Sequence, residues 1–299
     1  MTLRHMRIFV AVCECGGITA AAQQLYLAQP TVSLAVSELE EYYGVRLFDR
    51  ISRRLFITQR GQEFYEYAKH IVSLFDEMER SMKDADSAGM LRLGSSITIA
   101  TFLLPDLLCR FRRMHPGIQA QVRVDNSEEI EHRVSTNEVD FGLIEGVVHS
   151  EHMVCEEFAR DALVLVCGQN HPLAQTPQVQ AHQLKGCDFL LRQKGSGTRE
   201  LFDSTMLLHG VEITPVWESV STQAIVEAVC RGLGISVLPY RWVQQDLREG
   251  RLHRLKIEGV RFEREFTLIY HKNKFLSQAT QDFLALCRDT VGENLPEDD

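Results

Sequence analysis

The spacing of apolar residues changes character along the chain, and each change marks an element. Over residues 2–15, Leu3, Met6, Ile8, Phe9, Val12 and Cys13 recur at helical spacing, and Gly16-Gly17 ends the helix they predict. Two shorter helices follow, one from a Thr19 cap through Leu25 and one from Gln29-Pro30-Thr31 towards Tyr43. Pro30 suits a first helical turn, where its missing N–H costs nothing. On the second of these helices Val32, Val36 and Leu39 make one apolar face and leave Gln29, Thr31, Ser33 and Ser37 on the other. A short uncharged polar face of this kind can enter a DNA major groove and reach base edges, although an ordinary antiparallel helix pair would carry the same stripe.

The pattern after Gly44 turns to strands. Val45, Leu47 and Phe48, then Leu55, Phe56 and Ile57, supply apolar strand positions, with Arg46, Arg50, Arg53, Arg54 and Arg60 around the turn. Such a two-stranded wing beside a groove-reading helix can grip phosphates; a solvated basic hairpin is the alternative. From a Thr58 cap one long helix carries Phe64, Ile71, Met78 and Ala85 every seven residues, with Ala68, Phe75 and Met82 between them. That heptad describes a helix pairing with its own copy. Packing on its own domain would explain an apolar stripe but not the acidic remainder. Ser87-Ala88-Gly89 closes the helix and the amino-terminal module.

Beyond Met90 strands and helices alternate: strand Leu91–Ser95, helix Phe102–Met114, strand Ala120–Val124, helix Glu128–Thr136 and strand Val139–Ile144. A second set runs through strands Leu163–Val166 and Phe189–Leu191, helix Glu200–His209, strand Thr214–Trp217, helix Ala224–Arg231, strand Ile235–Leu238 and helix Arg241–Arg248. Strand Phe266–Tyr270 and helix Gln278–Val291 have no late partners of their own. The expectation is an α/β domain with a largely parallel sheet, in which the chain crosses twice between two lobes. The expected limits are 1–58, 59–89 and 90–299, with one lobe at 90–165 and 268–299 and the other at 166–267. The Gln-rich 169–183 stretch reads as a surface loop.

Composition narrows the function. The 299 residues are 44% hydrophobic, with no apolar run near the roughly 20 residues of a membrane span and no signal-peptide core, so a cytoplasmic protein is expected. Eight scattered cysteines without a Cys-x-x-Cys pair read as reduced, buried small hydrophobes, with redox sensing as the lesser alternative. The net charge of −9 argues against nucleic acid until its distribution is seen. Residues 1–60 hold seven arginines against five acids, whereas residues 61–89 hold three basic and seven acidic groups. Positive charge is in surplus only around the wing, so DNA affinity should be local and salt dependent.

Residues 1 to about 60 resemble the winged helix-turn-helix of LysR-type transcriptional regulators. The resemblance rests on Ala20-Ala21-Ala22, Gln29-Pro30-Thr31-Val32-Ser33, Leu39-Glu40 and Leu47-Phe48-Asp49-Arg50 in that order and spacing. Where the family often has a basic or amide residue after the serine, this chain has Leu34 and Ala35. The resemblance implies an amino-terminal all-α winged helix-turn-helix, a long linker helix that dimerises the protein, and a carboxy-terminal α/β two-lobed effector domain like a periplasmic binding protein. It further implies double-stranded promoter DNA as partner, held by Gln29, Pro30, Thr31, Ser33, Ser37, Arg50, Arg53 and Arg54. A small-molecule effector, self-association as a dimer or a tetramer, and RNA polymerase if the protein activates follow from the same likeness, with no membrane and no enzyme activity.

Two stretches would face the effector cleft, because ligands in open α/β sheets sit beyond the carboxyl ends of strands. They are Gly94 to Thr101, with Ser96 and Thr98, and Gly195-Ser196-Gly197-Thr198-Arg199. Glycines allow close backbone approach, hydroxyls and free N–H groups donate, and Arg199 offers a positive fork. Together they describe a receptor for a small oxyanion or carboxylate, with no metal or other cofactor. Against this, Ser and Thr are ordinary helix caps and Arg199 can pair with Glu200 or Glu218. The Gly-Ser-Gly-Thr-Arg run and Phe141 to Gly146 also resemble the LysR-type branch tied to sulfur, cysteine and carbon-fixation control, whose effectors are sulfur oxyanions or anionic metabolites. Glu145 could accept a hydrogen bond from an effector or be a solvated strand end. His149, His152 and Cys155 lack a fourth metal ligand. Ser196 is not in a Gly-x-Ser-x-Gly elbow, which argues against a hydrolase and ranks it behind the other alternative, an anion-binding module with no DNA role.

Overall fold

The computed structural model describes residues 1–51, 54–83, 89–176 and 178–289, with backbone only at 50, 51, 54, 77 and 80–83. Backbone contacts divide the chain into two units, Met1–Ser87 with Ser135–Glu138, and Ala88–Val134 with Val139–Asp299.

The first unit runs α1 (Leu3–Glu14), α2 (Ile18–Gln24), α3 (Gln29–Tyr43), β1 (Phe48–Ile51), β2 (Arg54–Ile57) and α4 (Gln59–Lys83). Its core gathers Ile8, Phe9 and Val12 of α1 with Ala21, Val32, Val36, Leu39, Leu47 and Ala68. Phe9 sits at the centre, its ring 5.2 Å from Phe48 and 4.9 Å from Phe64. Gly16, at φ 69, turns the chain out of α1 as expected. The same turn after α2 is made by Tyr26 at φ 54, with Leu27 N donating to Ala22 O at 2.9 Å. Thr19 is not the cap of α2, since that helix starts at Ile18 behind Gly17. Thr58 does cap α4, its Oγ1 accepting from Gly61 N at 2.9 Å.

The heptad expected along α4 divides between two faces. Phe64 and Ala68 belong to the core under α1, and Phe75 lies beneath the Arg7 guanidinium at 5.7 Å. Ile71 and Met78 point outward at 41% and 50% exposure, joined by Tyr67 at 59%. A residue already packed on α1 cannot also face a second copy, so half the predicted seam is internal. Met82 and Ala85 lie outside the described side chains.

The second unit contains β3 (Met90–Ser96), α5 (Ile97–Phe102), α6 (Leu104–Met114), β4 (Gln119–Asp125), α7 (Ser127–Ser135), β5 (Phe141–Glu145) and β6 (Met153–Gly168). After two short 3-10 turns come β7 (Leu190–Arg192), α8 (Gly197–Leu208), β8 (Trp217–Ser219), α9 (Thr222–Cys230), β9 (Ile235–Pro239), α10 (Tyr240–Arg248), β10 (Leu252–Leu255), β11 (Phe262–His271) and α11 (Gln278–Arg288). The sheet is mixed rather than largely parallel. β3 pairs parallel with β4 and β5, but β6 and β11 run antiparallel to each other and to β5, β9 and β10. The sequence reading missed the first half of β6 because Glu156, Glu157, Arg160 and Asp161 break its apolar alternation.

β6 and β11 are the shared strands. Phe158, Phe266 and Leu268 pack with β3, β5, α6 and α11, while Leu163 and Phe262 pack with β9 and α8. Core partners therefore change between Phe158 and Leu163 and between Phe262 and Phe266, a few residues before the crossings expected at 165 and 267. Cysteine usage also differs from expectation: Cys167 and Cys287 are buried, but Cys109 and Cys155 are exposed. Among the described residues no single helix is long and apolar enough to cross a membrane.

Candidate functional site

Each unit presents one set of side chains with distinctive chemistry. In the first, α3 opens after an extended Ala28 with proline in its first turn, and buries Val32, Ala35, Val36 and Leu39. Gln29, Pro30 and Ser37 are exposed, Thr31 and Ser33 half-buried. Ser37 Oγ donates to Ser33 O at 3.1 Å, which keeps that hydroxyl on the helix surface. Glu40 Oε1 accepts from Leu47 N at 2.8 Å and Phe48 N at 3.1 Å, fixing the chain where it leaves for the wing. In the wing Arg50 pairs with Leu55 and Ile51 with Arg54. Arg53, and the side chains of Arg50 and Arg54, lie outside the described residues.

In the second unit the carboxyl ends of β3, β5 and β7 and the start of α8 meet around a buried polar cluster. Ser96 Oγ donates to Glu145 Oε2 at 2.6 Å, and Thr98 Oγ1 to Glu145 Oε1 at 3.1 Å. Arg264, from β11, places NH1 3.2 Å from Glu145 Oε1 and 2.9 Å from Thr198 Oγ1. Its Nε and NH2 donate to Asp161 Oδ2 at 2.8 and 2.6 Å. Burial works against the Arg264 charge, but Glu145 and Asp161 outweigh it and hold the guanidinium above its ordinary value. Gly197 brings α8 against β5, where a Cβ would stand 2.1 Å from Glu145 O. A side chain there would push the two lobes apart. Ser196 precedes α8 without giving its hydroxyl to the helix. Ser96, Thr98, Glu145 and Thr198 thus come together as a cluster, all buried.

Arg199 is placed differently. Its Nε donates to Asp203 Oδ2 at 2.7 Å and NH1 to Glu218 Oε2 at 2.9 Å, with 6% of the side chain exposed. A guanidinium taken so far from water needs its own carboxylates, so the free fork expected here is spent on Glu218, the alternative pairing, and Asp203. NH1 also donates to Arg192 O at 3.1 Å and so steadies the end of β7. Arg192 is the less committed cation: NH1 donates to Thr222 Oγ1 at 2.6 Å, while its buried Nε has no protein acceptor. Burial lowers its pKa from the ordinary value, with Arg264 adding to the effect and Glu145 opposing it.

Sequence reasoning missed Arg192, Asp161 and Arg264. For Arg264 a signal existed. In Phe262-Glu263-Arg264-Glu265-Phe266 the arginine shares its strand face with two buried phenylalanines, where an arginine must have partners. At the same end of the lobes Phe102 and Trp242 meet edge to face at 5.2 Å. His149, set aside as a metal ligand, lies between two carboxylates, with Nδ1 3.3 Å from Glu131 and Nε2 3.2 Å from Glu200.

Residues 3–62 match the bacterial regulatory helix-turn-helix protein, lysR family, and residues 84–292 match the LysR substrate binding domain. The chain is 34% identical over 287 residues to the HTH-type transcriptional regulator YeiE of Escherichia coli (strain K12), which covers 96% of this chain and 97% of that protein. It is 31% identical over 285 residues to the RuBisCO operon transcriptional regulator of Allochromatium vinosum, covering 95% and 94%, in line with the carbon-fixation side of the branch it resembles. The regulatory domain of CcmR from Synechocystis PCC6803, solved in complex with 2-PG, is similar with a TM-score of 0.63 and 30% identity over 69% of this chain and 99% of that one. These relatives regulate transcription, which sets aside the hydrolase reading. The chain belongs to the LysR family of transcriptional regulators.

Proposed function

We propose that a small anion, an oxyanion or carboxylate, binds among Ser96, Thr98, Ser196, Thr198, Arg192 and Arg264 and changes how the chain engages promoter DNA. The observation that carries this reading is Arg192, a 4% exposed guanidinium whose Nε is unanswered by the protein. Arg264 is paired with Glu145 and Asp161, Arg241 lies near Asp161 and Arg192 feels the charge of Glu145, which leaves one positive charge in surplus among these five. The occupied hydroxyls add a condition. Ser96 and Thr98 already donate to Glu145, so an entering ligand must either displace that carboxylate or offer it a hydrogen. A ligand with its own O–H satisfies Glu145; a fully deprotonated one leaves two anions face to face. Arg199 acts through the strand end that carries Arg192. That the CcmR regulatory domain was solved with 2-PG supports a cleft of this kind.

On the DNA side, Gln29, Pro30, Thr31, Ser33 and Ser37 of α3 enter the major groove, and Arg50, Arg53 and Arg54 hold phosphates through the wing. The exposed stripe of α4 pairs two copies across a palindromic site. The protein acts in the cytoplasm and contacts RNA polymerase where it activates. Calorimetry against sulfite, sulfate, thiosulfate, phosphate, phosphorylated sugars and small carboxylates tests the cleft. Thr98→Val and Arg192→Gln should each weaken binding of the responding anion by about 10- to 100-fold, the worth of a hydrogen bond to a charged group. Both variants should retain salt-dependent binding to duplex DNA. Wild-type anion affinity in both would overturn the assignment.

A further inference from the structure

The outward crest of α3 is not uniformly polar. Counting at helical spacing from the buried face, Pro30, Leu34, Ser37 and Glu41 lie farthest from the core. Leu34 is 60% exposed and takes no part in the cluster that its neighbours Val32, Ala35 and Val36 build. It stands between Ser33 and Ser37, in the uncharged first half of the helix. The second half turns acidic at Glu38, which lies 2.6 Å from His5 Nε2, and at exposed Glu41. Carboxylates repel the phosphate backbone, so the portion of α3 that can approach base edges is the portion centred on Leu34.

An isobutyl side chain in a major groove cannot donate or accept a hydrogen bond. The one apolar group that base pairs present there is the thymine C5-methyl. We propose that Leu34 is a specificity-determining residue that reads a thymine methyl in each half-site of the bound duplex. The proposal rests on α3 being the groove-entering helix and goes beyond it by assigning one base to one side chain. Ser33 and Ser37 on either side supply the polar contacts that fix the register.

The test uses the full chain and a duplex that it selects itself from a randomised library. Each thymine of that duplex is then replaced singly by deoxyuridine, which removes only the methyl, and affinity is read by fluorescence anisotropy at fixed salt. One thymine per half-site should lose about fourfold in affinity, which is what burying one methyl-sized group is worth. Replacing both should cost about fifteenfold, since the two sites are far apart and their effects add. Leu34→Ala should lose a similar factor on the thymine duplex and show no further penalty at the deoxyuridine position. Indifference of the wild-type chain to every thymine methyl would overturn the proposal, as would a Leu34→Ala variant that keeps the same deoxyuridine penalty. Failure to select any duplex would overturn it together with the α3 assignment, whereas selection without methyl dependence overturns the role of Leu34 alone.

Discussion

A neutral imidazole has one N–H to give, and His149 faces a carboxylate on each nitrogen. Only the protonated ring can donate to both. The hydrogen bond that the ring donates to Glu131 raises its pKa above 6.5; burial opposes the rise and the Glu200 charge adds to it. Because the folded value lies above the unfolded one, the stability this contact contributes is complete below about pH 6.5. It is lost as pH rises through the folded value. The side chain is 58% exposed, so the effect should be modest. His149→Gln should therefore lower Tm relative to wild type at pH 6 and have a smaller effect at pH 9; an equal deficit at both pH values would contradict the bridge. At this scale the sequence was legible where a residue type has one common use, and less so elsewhere. Gly16 announced its turn, but Tyr26 makes the same left-handed turn with no glycine to mark it. Arg199 was visible as a cation beside a helix start; Asp203, four residues on, is the partner that helical spacing alone offers, whereas the pairing with Glu218 depends on how α8 sits on β8.

Among the elements, α4 shows how one periodicity can serve two surfaces. A seven-residue repeat was readable from Phe64 onward, but periodicity cannot say which residues α1 claims first. Phe64 and Ala68 face the core, and Tyr67, Ile71 and Met78 are left on the outer side. If those three make the contact with a second copy, Ile71→Lys combined with Met78→Lys should shift the full chain from dimer or larger towards monomer in sedimentation experiments. The thermal stability of the first unit should barely change, since neither side chain is in its core. An unaltered oligomeric state would place the contact elsewhere. β6 presents the opposite case. Its sixteen residues form one strand, of which only the apolar second half announced itself. The charged first half is a strand because β11 supplies its hydrogen bonds from Met153 to Leu163, a long-range cause that no local pattern carries.

Over the whole molecule, charge and topology divide the work. A net charge of −9 would exclude nucleic acid if it were spread evenly, but residues 1–60 carry a positive balance and most of the excess acid lies beyond them. The order of strands and helices was sufficient to predict an α/β second unit; the mixed sheet and the place where the lobes exchange cores follow from two strands paired over a long distance in sequence. Arg264 sits on one of those strands and reaches Glu145 on β5, Asp161 on β6 and Thr198 on α8. An anion that perturbs this node changes contacts in both lobes at once. By linkage, a ligand that alters DNA affinity must itself bind differently when DNA is present. The decisive measurement is the affinity of the full chain for its selected duplex, at fixed salt, across a titration of the anion that gives the largest heat. Affinity should change over the concentrations that fill the cleft and should stay constant there in Thr98→Val. A wild-type affinity that stays flat through saturation would contradict control of DNA binding by the cleft.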